Sequence, residues 1–479
     1  ETAAAVAEEK FRAAYPEYAF TLPLDLLRDA EFTRIRPGET YVDSMGGALY
    51  PELLVRAHAA FLENAILGNT HSQSSSSQLS TAHVAAAREA VLSHFNAPSG
   101  SRVVFTANAS QALKLAGESF PFGPGSTYLL PEDAHNSVHG IREFARRGGA
   151  EVVYMPGRPG RGGVDVAKAR GLLDANAPLP GDAALAAFTG MSNLTNTKMS
   201  LGPIRSVNSL GYTTLLDAAA LAPSTVLDLT ATPVDAAAVS FYKMFGYPTG
   251  IGALILGPGV GEFLVEPRLS GAGGRPWFAG GTVDVVQVPG DVVTRTNNIE
   301  EAFEDGTLNY LQLPAIPLGL NLLRSYLPFL PTRLAALTHF LASQLSSLTH
   351  ADGTPAARVL SRVPGVISGI GGTSQRRLPR GAGGTVSFVI LEPNGEPVPL
   401  SCVAASAAAN GVMLRTGCMC NPGGAAALLG LAPFMAELRS GATLSSLEAA
   451  AGHELGVVRV SFGFVSNWKD AWAVVCWAR

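Results

Sequence analysis

The sequence predicts an α/β fold, in which helices cover both faces of a mostly parallel, seven-stranded sheet and a smaller α+β domain follows. Between about Tyr41 and Leu320, short apolar or β-branched runs alternate with helical patterns, as in sheets whose parallel strands are joined by helices. The chain has 479 residues, of which 47% are hydrophobic, so it can bury a large core. After Leu320 the alternation ends. We therefore expect a large domain at residues 41–320 and a small domain that combines residues 1–40 with 321–479.

Seven short runs supply the predicted strands, because each is apolar or β-branched and is bounded by turn residues or by a helical pattern. A helix, Ser137–Arg147, is expected between the second and the third. Ligands of such sheets bind beyond the carboxyl ends of the strands, so residues at those ends are the first candidates for a site. The predicted strands are Val103–Ala107, Thr127–Leu130, Glu151–Met155, Ala184–Phe188, Thr213–Leu216, Ala238–Tyr242 and Gly252–Leu256.

The small domain is predicted from a different pattern. Leu330–Leu348 has the period of a helix, and a stretch rich in Gly and Arg, Gly369–Gly384, precedes further strands and helices. We expect this Gly-rich stretch to be a mobile surface loop, because glycine leaves the backbone many conformations.

Composition argues against several classes of partner. The net charge is −4 and the basic residues form no sustained stripe, so neither nucleic acid nor an anionic membrane is expected as the main partner. The chain contains no uninterrupted apolar run long enough to span a membrane, and its opening segment lacks the shape of a signal peptide. The four cysteines do not suggest a disulfide framework, which favours a reducing compartment and a cytoplasmic protein. No metal site is predicted. A small molecule is the expected ligand.

Lys243 is the first candidate catalytic residue. It lies in Ser240-Phe-Tyr-Lys-Met-Phe-Gly246, an apolar segment that precedes a glycine turn. A lysine held in an apolar cleft has a lowered pKa and readily forms an imine, which suits a pyridoxal phosphate (PLP) cofactor. Asp217, at the end of the strand Thr213–Leu216, would then pair with the protonated pyridine nitrogen. The alternatives are a solvated surface lysine and an aspartate that only caps a helix.

A candidate phosphate site lies where the first strand turns into a helix. Asn108, Ala109 and Ser110 occupy this turn. Main-chain amides at the start of a helix bind anions, so these three residues are candidates for holding the cofactor phosphate. The alternative is that Ser110 only caps the helix.

Two further polar residues follow predicted strands. His135 could stack on the pyridine ring and relay a proton, and His139 is its competitor for that role. Asn193 could donate a hydrogen bond to the ring hydroxyl oxygen, or could simply turn the chain.

The segment Arg415-Thr-Gly-Cys-Met-Cys420 combines an arginine with two thiols. Arginine suits the carboxylate of an amino acid and a thiolate can attack sulfur, so together with Lys243 the segment suggests an enzyme that removes sulfur from cysteine. We expect only one of the two thiols, that of Cys420, to face the cofactor, with Cys418 as a small packed hydrophobe. The alternatives are another PLP enzyme, such as a C–S lyase or an aminotransferase, and a catalytically silent scaffold.

Taken together, these segments resemble the class V aminotransferase-like enzymes of PLP fold type I. Among them, the chain looks like the N-terminal cysteine desulfurase module of molybdenum cofactor sulfurases, and the resemblance covers nearly all of it. The segments that carry the resemblance are YVDSMG from Tyr41, GNTHS from Gly68, FTANASQALKL from Phe105, SFYKMFGYPTG from Ser240, FEDGT from Phe303, LRTGCMCNPG from Leu414 and RVSFG from Arg459.

The resemblance implies a catalytic role for each matching residue. Lys243 would bind PLP covalently and move the substrate Cα proton, while Asp217 would hold the pyridinium. Cys420 would attack the sulfur of L-cysteine, which yields alanine and a persulfide on the thiol. Arg415 and Asn69 would bind the substrate.

The resemblance also implies cofactor contacts and partners. His135 would stack on the ring and Asn193 would lie near the ring hydroxyl. In related dimeric enzymes the threonine of a motif like FEDGT reaches the phosphate of the neighbouring subunit, so Thr307 would do so in an expected homodimer. The expected sulfur acceptor is the molybdenum cofactor, through a separate or missing C-terminal domain. The residues implied to bind PLP are Ala109, Ser110, His135, Asn193, Asp217, Ser240, Tyr242, Lys243 and Thr307.

The chain departs from this family at the phosphate turn, where Gly-Ser-Thr is replaced by Asn108-Ala109-Ser110. Because asparagine tolerates a left-handed backbone, the turn can survive with Asn108 in that conformation, but one side-chain hydroxyl donor to the phosphate is lost. The glycines around Cys420 are expected to let the thiol move during the reaction, and the alternative is that they only shape turns. They are Gly417, Gly423 and Gly424.

Overall fold

The computed structural model describes residues 3–265, 277–364 and 381–479. Most of the Gly-rich stretch at residues 369–384, which we predict to be a mobile loop, lies outside the described residues. None of the helices in the described ranges combines the length and the apolar composition that a membrane crossing needs.

The strands of the described ranges are β1 (Thr40–Tyr41), β2 (Arg102–Thr106), β3 (Thr127–Pro131), β4 (Glu151–Met155), β5 (Ala184–Thr189), β6 (Thr213–Asp217), β7 (Ala236–Ser240), β8 (Gly252–Leu256), β9 (Val283–Val286), β10 (Val293–Arg295), β11 (Ala357–Val359), β12 (Thr385–Ile390), β13 (Val412–Met413), β14 (Arg415–Gly417) and β15 (Val457–Ser461). The α-helices of the same ranges are α1 (Ala3–Ala14), α2 (Pro23–Glu31), α3 (Glu52–Asn64), α4 (Ser75–His94), α5 (Ala109–Ser119), α6 (Asn136–His139), α7 (Arg142–Gly148), α8 (Val166–Ala175), α9 (Ile204–Ser209), α10 (Phe241–Phe245), α11 (Val260–Val265), α12 (Ile299–Phe303), α13 (Ala315–Tyr326), α14 (Leu330–Ser346), α15 (Leu400–Ala409), α16 (Pro422–Leu429), α17 (Ala432–Glu437), α18 (Leu444–Ala451) and α19 (Trp468–Ala478).

Seven of these strands form one large sheet in the order β2-β8-β7-β6-β5-β3-β4. The pairs β3–β4, β3–β5, β5–β6 and β6–β7 are parallel, whereas β8 runs antiparallel to both β2 and β7. The predicted α/β fold with a mostly parallel, seven-stranded sheet is therefore confirmed. Because every strand except β8 points in one direction, their carboxyl ends meet at one edge, where ligands of such sheets bind.

Two predicted elements differ from the observed ones. The predicted strand Ala238–Tyr242 is in fact Ala236–Ser240, and the apolar run continues as the short helix α10. A short apolar run does not by its period distinguish a buried strand from a buried helix.

The predicted helix Ser137–Arg147 is two helices, α6 and α7, which are separated at Gly140 and Ile141. Glycine weakens a helix interior, so the interruption falls at that residue.

The inner strands of the large sheet are buried on both faces, because their side chains alternate between two hydrophobic layers, whereas the edge strand β4 is only partly buried. In β5, Ala184, Ala186 and Phe188 pack into one buried cluster, while Leu185 and Ala187 pack into the other. Helices cover both layers, as the continuous apolar runs of the sequence predict.

A smaller antiparallel sheet has the order β11-β12-β15-β14, and every residue of β15 is buried. The start of the chain packs beside this sheet. Phe11 contacts Phe340 of α14 and Trp468 of α19 through ring-to-ring packing. Arg333 of α14 is fully buried and forms an ion pair of 2.5 Å with Asp25 of α2. The N-terminal helices are therefore joined to helices of the C-terminal half.

His94, the last residue of α4, should make stability sensitive to acid. Its ring packs edge-on against Phe95, and its Nδ1 atom has no hydrogen-bond partner among the described residues. Burial, reinforced by the guanidinium of Arg324, lowers the pKa of His94 from 6.5 to about 4. Between these values the unfolded chain binds a proton that the folded chain does not. The free energy of unfolding should therefore decrease as the pH is lowered through this window, by about 2 kcal/mol from pH 7 to pH 5.

Urea unfolding at the two pH values measures this loss. His94→Gln should lose about 2 kcal/mol less than the wild type over the same interval, because its side chain does not titrate. The exposed control His71→Gln should lose as much as the wild type. Equal losses in His94→Gln and the wild type would contradict the prediction.

Candidate active site

A cavity of about 240 Å³ lies at the carboxyl edge of the large sheet. The strands β5, β6 and β7 end in Thr189, Asp217 and Ser240, and all three residues line it. Residues from β14, from β15 and from the loop before α16 complete the lining, so the cavity lies between the two sheets. The sequence-predicted site residues that line it are Asn108, Ala109, Ser110, His135, Asn193, Asp217, Ser240, Tyr242, Lys243, Arg415 and Cys420.

Lys243 reaches the cavity from α10, which begins directly after β7. The helix ends at Gly246, whose backbone is left-handed (φ +82°) and which approaches the chain before α3 so closely that a Cβ atom would collide with it. Burial lowers the pKa of Lys243, and the carboxylate of Asp217 opposes part of that shift. The guanidinium groups of Arg459 and Arg415 lower the pKa of the lysine further. Such an amine is suited to act as a nucleophile and as a base.

Asp217 is the last residue of β6 and is 8% exposed. Its Oδ1 atom accepts a hydrogen bond from the amide of Ala219 at 3.0 Å, so the carboxylate stabilises the turn after the strand as well as lining the cavity. Thr189 lies opposite it on β5, and the buried hydroxyl of Thr189 has no hydrogen-bond partner within the described ranges. A carboxylate and an unpaired hydroxyl side by side are groups that a polar ring could satisfy.

The turn before α5 differs from the prediction. Asn108 is extended (φ −173°) and not left-handed, and its Oδ1 atom accepts a hydrogen bond from the amide of Gln111 at 3.0 Å. Asn108 therefore caps the helix, and the alternative that Ser110 is the cap is wrong. An extended backbone is the usual conformation of a cap, so a strand that runs directly into a helix needs no left-handed residue.

Hydroxyl groups cluster at the start of α5. The hydroxyl of Ser110 lies 2.6 Å from that of Ser137, and the amide of Ala109 donates to the Ser240 hydroxyl at 2.8 Å. Hydroxyl donors beside the first amides of a helix form a favourable site for a phosphate group. These groups suit an anion without a left-handed backbone at Asn108, and phosphate binding here stays a prediction.

His135 lines the cavity, whereas His139 lines a separate one beside Tyr154. The Nδ1 atom of His135 accepts a hydrogen bond from the amide of Ser137 at 3.2 Å and lies 2.9 Å from the hydroxyl of the same residue. Burial lowers the pKa of His135, and the carboxylate of Asp217 opposes the shift in part. A neutral imidazole in this position is suited to stack on an aromatic ring.

Two arginines approach the cavity from neighbouring strands of the small sheet. Arg415 begins β14 and is exposed, and Arg459 lies opposite it on β15. Arg459 is buried and forms an ion pair of 2.6 Å with Asp43, while its Nε atom has no partner in the part of the chain that the structure describes. Sequence reasoning missed Arg459 and Asp43. An arginine inside the apolar strand Val457–Ser461 is a usable signal, because a buried charge needs a partner.

The two thiols of the predicted motif have different surroundings. Cys420 is exposed and lines the cavity. Cys418 is half-buried and packs against the cluster that contains Leu194 and Val457, where burial raises the pKa of its thiol. Met419 and Cys420 are both left-handed (φ 55°), so the chain turns sharply at the exposed thiol. Only Cys420 of the two is placed to react with a ligand in the cavity.

Asn193 contacts the same loop from the large sheet. Its Nδ2 atom donates to the main-chain oxygen of Met419 at 2.8 Å, which leaves a second N–H on that nitrogen for a ligand. Asn69 and Thr307 lie outside the cavity lining, where Asn69 donates to the Thr307 hydroxyl at 3.2 Å and both side chains are exposed. Their predicted contacts with substrate and with a second subunit stay predictions.

The polar groups of the cavity fit PLP. Hydroxyls and helix amides for a phosphate, a carboxylate for a pyridine nitrogen and an amine of lowered pKa for a carbonyl carbon occur in one lining. The hydroxyl of Thr189 and the Nε atom of Arg459 are further buried groups that a bound ligand would satisfy. By contrast, the described ranges contain no three His, Cys, Asp or Glu side chains that are grouped to hold a metal ion.

Comparisons with known proteins agree with this geometry. The family model described as aminotransferase class-V matches residues 40–364. The chain is 33% identical over 482 residues to the molybdenum cofactor sulfurase of Arabidopsis thaliana and 30% identical over 471 residues to that of Bos taurus. Each alignment covers 93% of this chain but 56% and 50% of the respective relative, so the chain spans about half the length of these proteins.

The solved structures give the same fold. The apo structure of a cysteine desulfurase from Thermococcus onnurineus NA1 superposes with a TM-score of 0.72 at 19% identity, over 94% of this chain and 96% of that one. At this identity the similarity shows the fold alone. The predicted fold type and the resemblance to class V aminotransferases are therefore confirmed.

Proposed function

The chain belongs to the class V aminotransferase family, and from this premise we propose that it is a PLP-dependent cysteine desulfurase that converts L-cysteine to L-alanine. One observation carries the proposal. A single cavity is lined by a lysine of lowered pKa, Lys243, and by an exposed thiol, Cys420. An aminotransferase or a C–S lyase needs such a lysine but has no use for the thiol.

The residues that would hold PLP surround Lys243. The start of α5 would bind the phosphate, Asp217 would bind the pyridine nitrogen, and His135 would stack on the ring. When bound, PLP supplies an electron sink that acidifies the substrate Cα–H bond. Because burial lowers the pKa of Lys243, its amine loses a proton more readily than that of a surface lysine, so it can bind a carbonyl carbon and later carry the Cα proton.

The substrate carboxylate would bind to Arg415. Its guanidinium is exposed at the cavity and offers the planar, two-pronged geometry that matches a carboxylate. Arg459 is already paired with Asp43. It would therefore contribute positive charge and one unpaired N–H, rather than the two parallel N–H groups that bind a carboxylate. Two cations at one cavity would attract the carboxylate of the substrate.

Cys420 would attack the substrate sulfur as a thiolate. The C–S bond of the substrate breaks, an S–S bond forms at Cys420, and the substrate carbon keeps the electron pair and gains a proton. The sum is L-cysteine plus a thiol giving L-alanine plus a persulfide, so the step needs no external oxidant or reductant. Lys243, which lines the same cavity, would supply that proton.

We further propose that the sulfur passes from Cys420 to the molybdenum cofactor. The support is the similarity to proteins named molybdenum cofactor sulfurase along 93% of the chain. Because the chain spans about half the length of those relatives, the acceptor would be bound by a further domain or by a separate protein. A homodimer in which Thr307 of the partner subunit contacts the phosphate is part of the same proposal.

Incubation of the PLP-loaded protein with L-cysteine tests the proposal. Intact mass spectrometry should detect the added mass of one sulfur atom, and peptide mapping should place it on Cys420. L-alanine should form in the first turnover in an amount equal to the persulfide. Protein treated with iodoacetamide beforehand is the control and should form neither. Release of sulfide without sulfur on Cys420, or the absence of any reaction, would contradict the proposal.

A further inference from the structure

We propose that the buried residues Asp133 and Asn421 are positioning residues that fasten the nucleophile loop, residues 418–421, to the carboxyl edge of the large sheet. The inference rests on the proposed function, because it takes Cys420 as the group that receives sulfur. Neither Asp133 nor Asn421 lines the cavity, so both would act through the loop and not on the substrate.

Asp133 follows β3 and is 2% exposed. Its carboxylate accepts four hydrogen bonds, yet it forms no ion pair with a Lys or Arg of the described ranges. Burying a carboxylate without a cation costs free energy unless its hydrogen-bond donors stay in place. Loss of any one donor would therefore be unfavourable, so the carboxylate holds these donor groups together. The donors are Ser192 Oγ at 2.6 Å, Gly163 N at 2.6 Å, Thr195 Oγ1 at 2.7 Å and Asn421 Nδ2 at 2.7 Å.

Asn421 is fully buried and uses both ends of its amide. The Oδ1 atom accepts from the amide of Gly424 at 2.9 Å and so caps α16. The Nδ2 atom donates to Asp133, and it lies 3.1 Å from Asn193 Oδ1 and 3.3 Å from Ser192 Oγ. The residue that follows the nucleophile is therefore bonded to the segments after β3 and β5.

Two contacts of the main chain hold the loop at Cys420 itself. Asn193 donates to the oxygen of Met419 at 2.8 Å, and the amide of Asn136 donates to the oxygen of Cys420 at 2.7 Å. Met419 and Cys420 are left-handed, a conformation that is unfavourable for residues other than glycine. The turn that presents the thiol therefore depends on the contacts around it.

The glycines after the loop permit this close approach. A Cβ atom at Gly423 would collide with the main-chain oxygen of Glu132, and one at Gly424 would lie 2.7 Å from Asp133 Oδ1. Both glycines thus serve packing against the segment after β3. In this proposal the thiol keeps its place during the reaction, and the acceptor has to reach it at the cavity.

Asn421→Ala tests the proposal, because it removes the link to Asp133 and changes the identity of no cavity residue. With L-cysteine in deuterated water, the variant should exchange the substrate Cα proton within about twofold of the wild-type rate, since Lys243 is unchanged. Persulfide formation on Cys420 should fall by at least about tenfold, because a small displacement of a reacting group is costly. Asn421→Ser keeps an acceptor for the Gly424 amide. It should likewise retain Cα-proton exchange while losing persulfide formation.

A second readout does not depend on turnover. Without substrate, iodoacetamide should alkylate Cys420 at least about threefold faster in both variants, relative to the exposed Cys402 of the same chain, because a released loop opens more often. Thr443→Ala removes an exposed helix cap of α18 and should keep the wild-type ratio. A parallel loss of exchange and persulfide formation, or an unchanged alkylation ratio, would overturn the positioning role. If the wild type forms no persulfide, the proposed function is wrong. The alkylation ratio alone then tests whether Asn421 holds the loop in place.

Discussion

Replacement of Lys243 by alanine is expected to abolish persulfide formation and to lower turnover of L-cysteine by about 10²-fold to 10⁴-fold or more. The amine lines the same cavity as Asp217 and burial lowers its pKa, which supports the proposal that it binds the cofactor and moves the substrate proton. Borohydride treatment followed by peptide mapping checks this. The wild type should retain the cofactor on the peptide that contains Lys243, and the variant should retain none.

Lys198→Ala is the matched control for this experiment. Burial lowers the pKa of Lys198 as well, but this lysine lines a neighbouring cavity and not that of Lys243. Its replacement should leave both turnover and the borohydride-fixed cofactor within about twofold of the wild type, as for a residue outside the reacting groups. If the cofactor were instead lost in Lys198→Ala and kept in Lys243→Ala, the role of Lys243 would be wrong.

Much of the fold could be predicted because the strands of the large sheet are short apolar or β-branched runs between turn residues. The predicted strands Glu151–Met155 and Gly252–Leu256 have the observed bounds. The strand that ends at Ser240 was predicted to reach Tyr242, since the residues remain apolar as the chain passes from β7 into α10. Where hydrophobicity does not change, it carries no information on where a strand gives way to a helix.

Part of the site was predictable because its residues follow strands, and Arg415 and Cys420 were predictable from their shared motif. Lys243 and Asp217 could be found in this way, because the carboxyl ends of parallel strands converge. Arg459 pairs with Asp43 across 416 residues of sequence, and Asn421 pairs with Asp133 across 288. No local period encodes such contacts. Buried polar residues acquire their hydrogen-bond partners only in the folded chain. The partners in these two pairs are too far apart in sequence to be inferred from it.

The contacts of the nucleophile loop also change how the motif of Arg415 to Cys420 is interpreted. The sequence favoured a flexible segment, since glycines surround the thiol. In the fold, Gly423 and Gly424 are the residues that let α16 approach the end of β3, and the neighbouring Asn421 is completely buried. Small residues beside a catalytic group therefore indicate close packing as well as they indicate movement.

Replacement of Cys420 by serine is expected to stop sulfur transfer while leaving the cofactor in place. Serine preserves the size of the side chain, but its hydroxyl is far less ionised than a thiol near neutral pH and less nucleophilic. With L-cysteine the variant should form no persulfide, and the rate of alanine formation should fall by at least about 10²-fold. The near-ultraviolet and visible absorbance of bound PLP should be retained, because the groups proposed to hold it are all unchanged. Quantification of alanine, together with intact mass spectrometry, measures both outcomes.

Cys418→Ser and Cys402→Ser are the matched controls, and both should keep alanine formation within about twofold of the wild type. Turnover by Cys420→Ser at the wild-type rate, with sulfide released into solution, would instead identify a C–S lyase. The expected result follows from where the thiols lie. All four cysteines belong to the described ranges, and among them only Cys420 lines the cavity that contains Lys243. Cys418 is half-buried and packed, and burial raises the pKa of its thiol, so it is poorly placed to replace its neighbour.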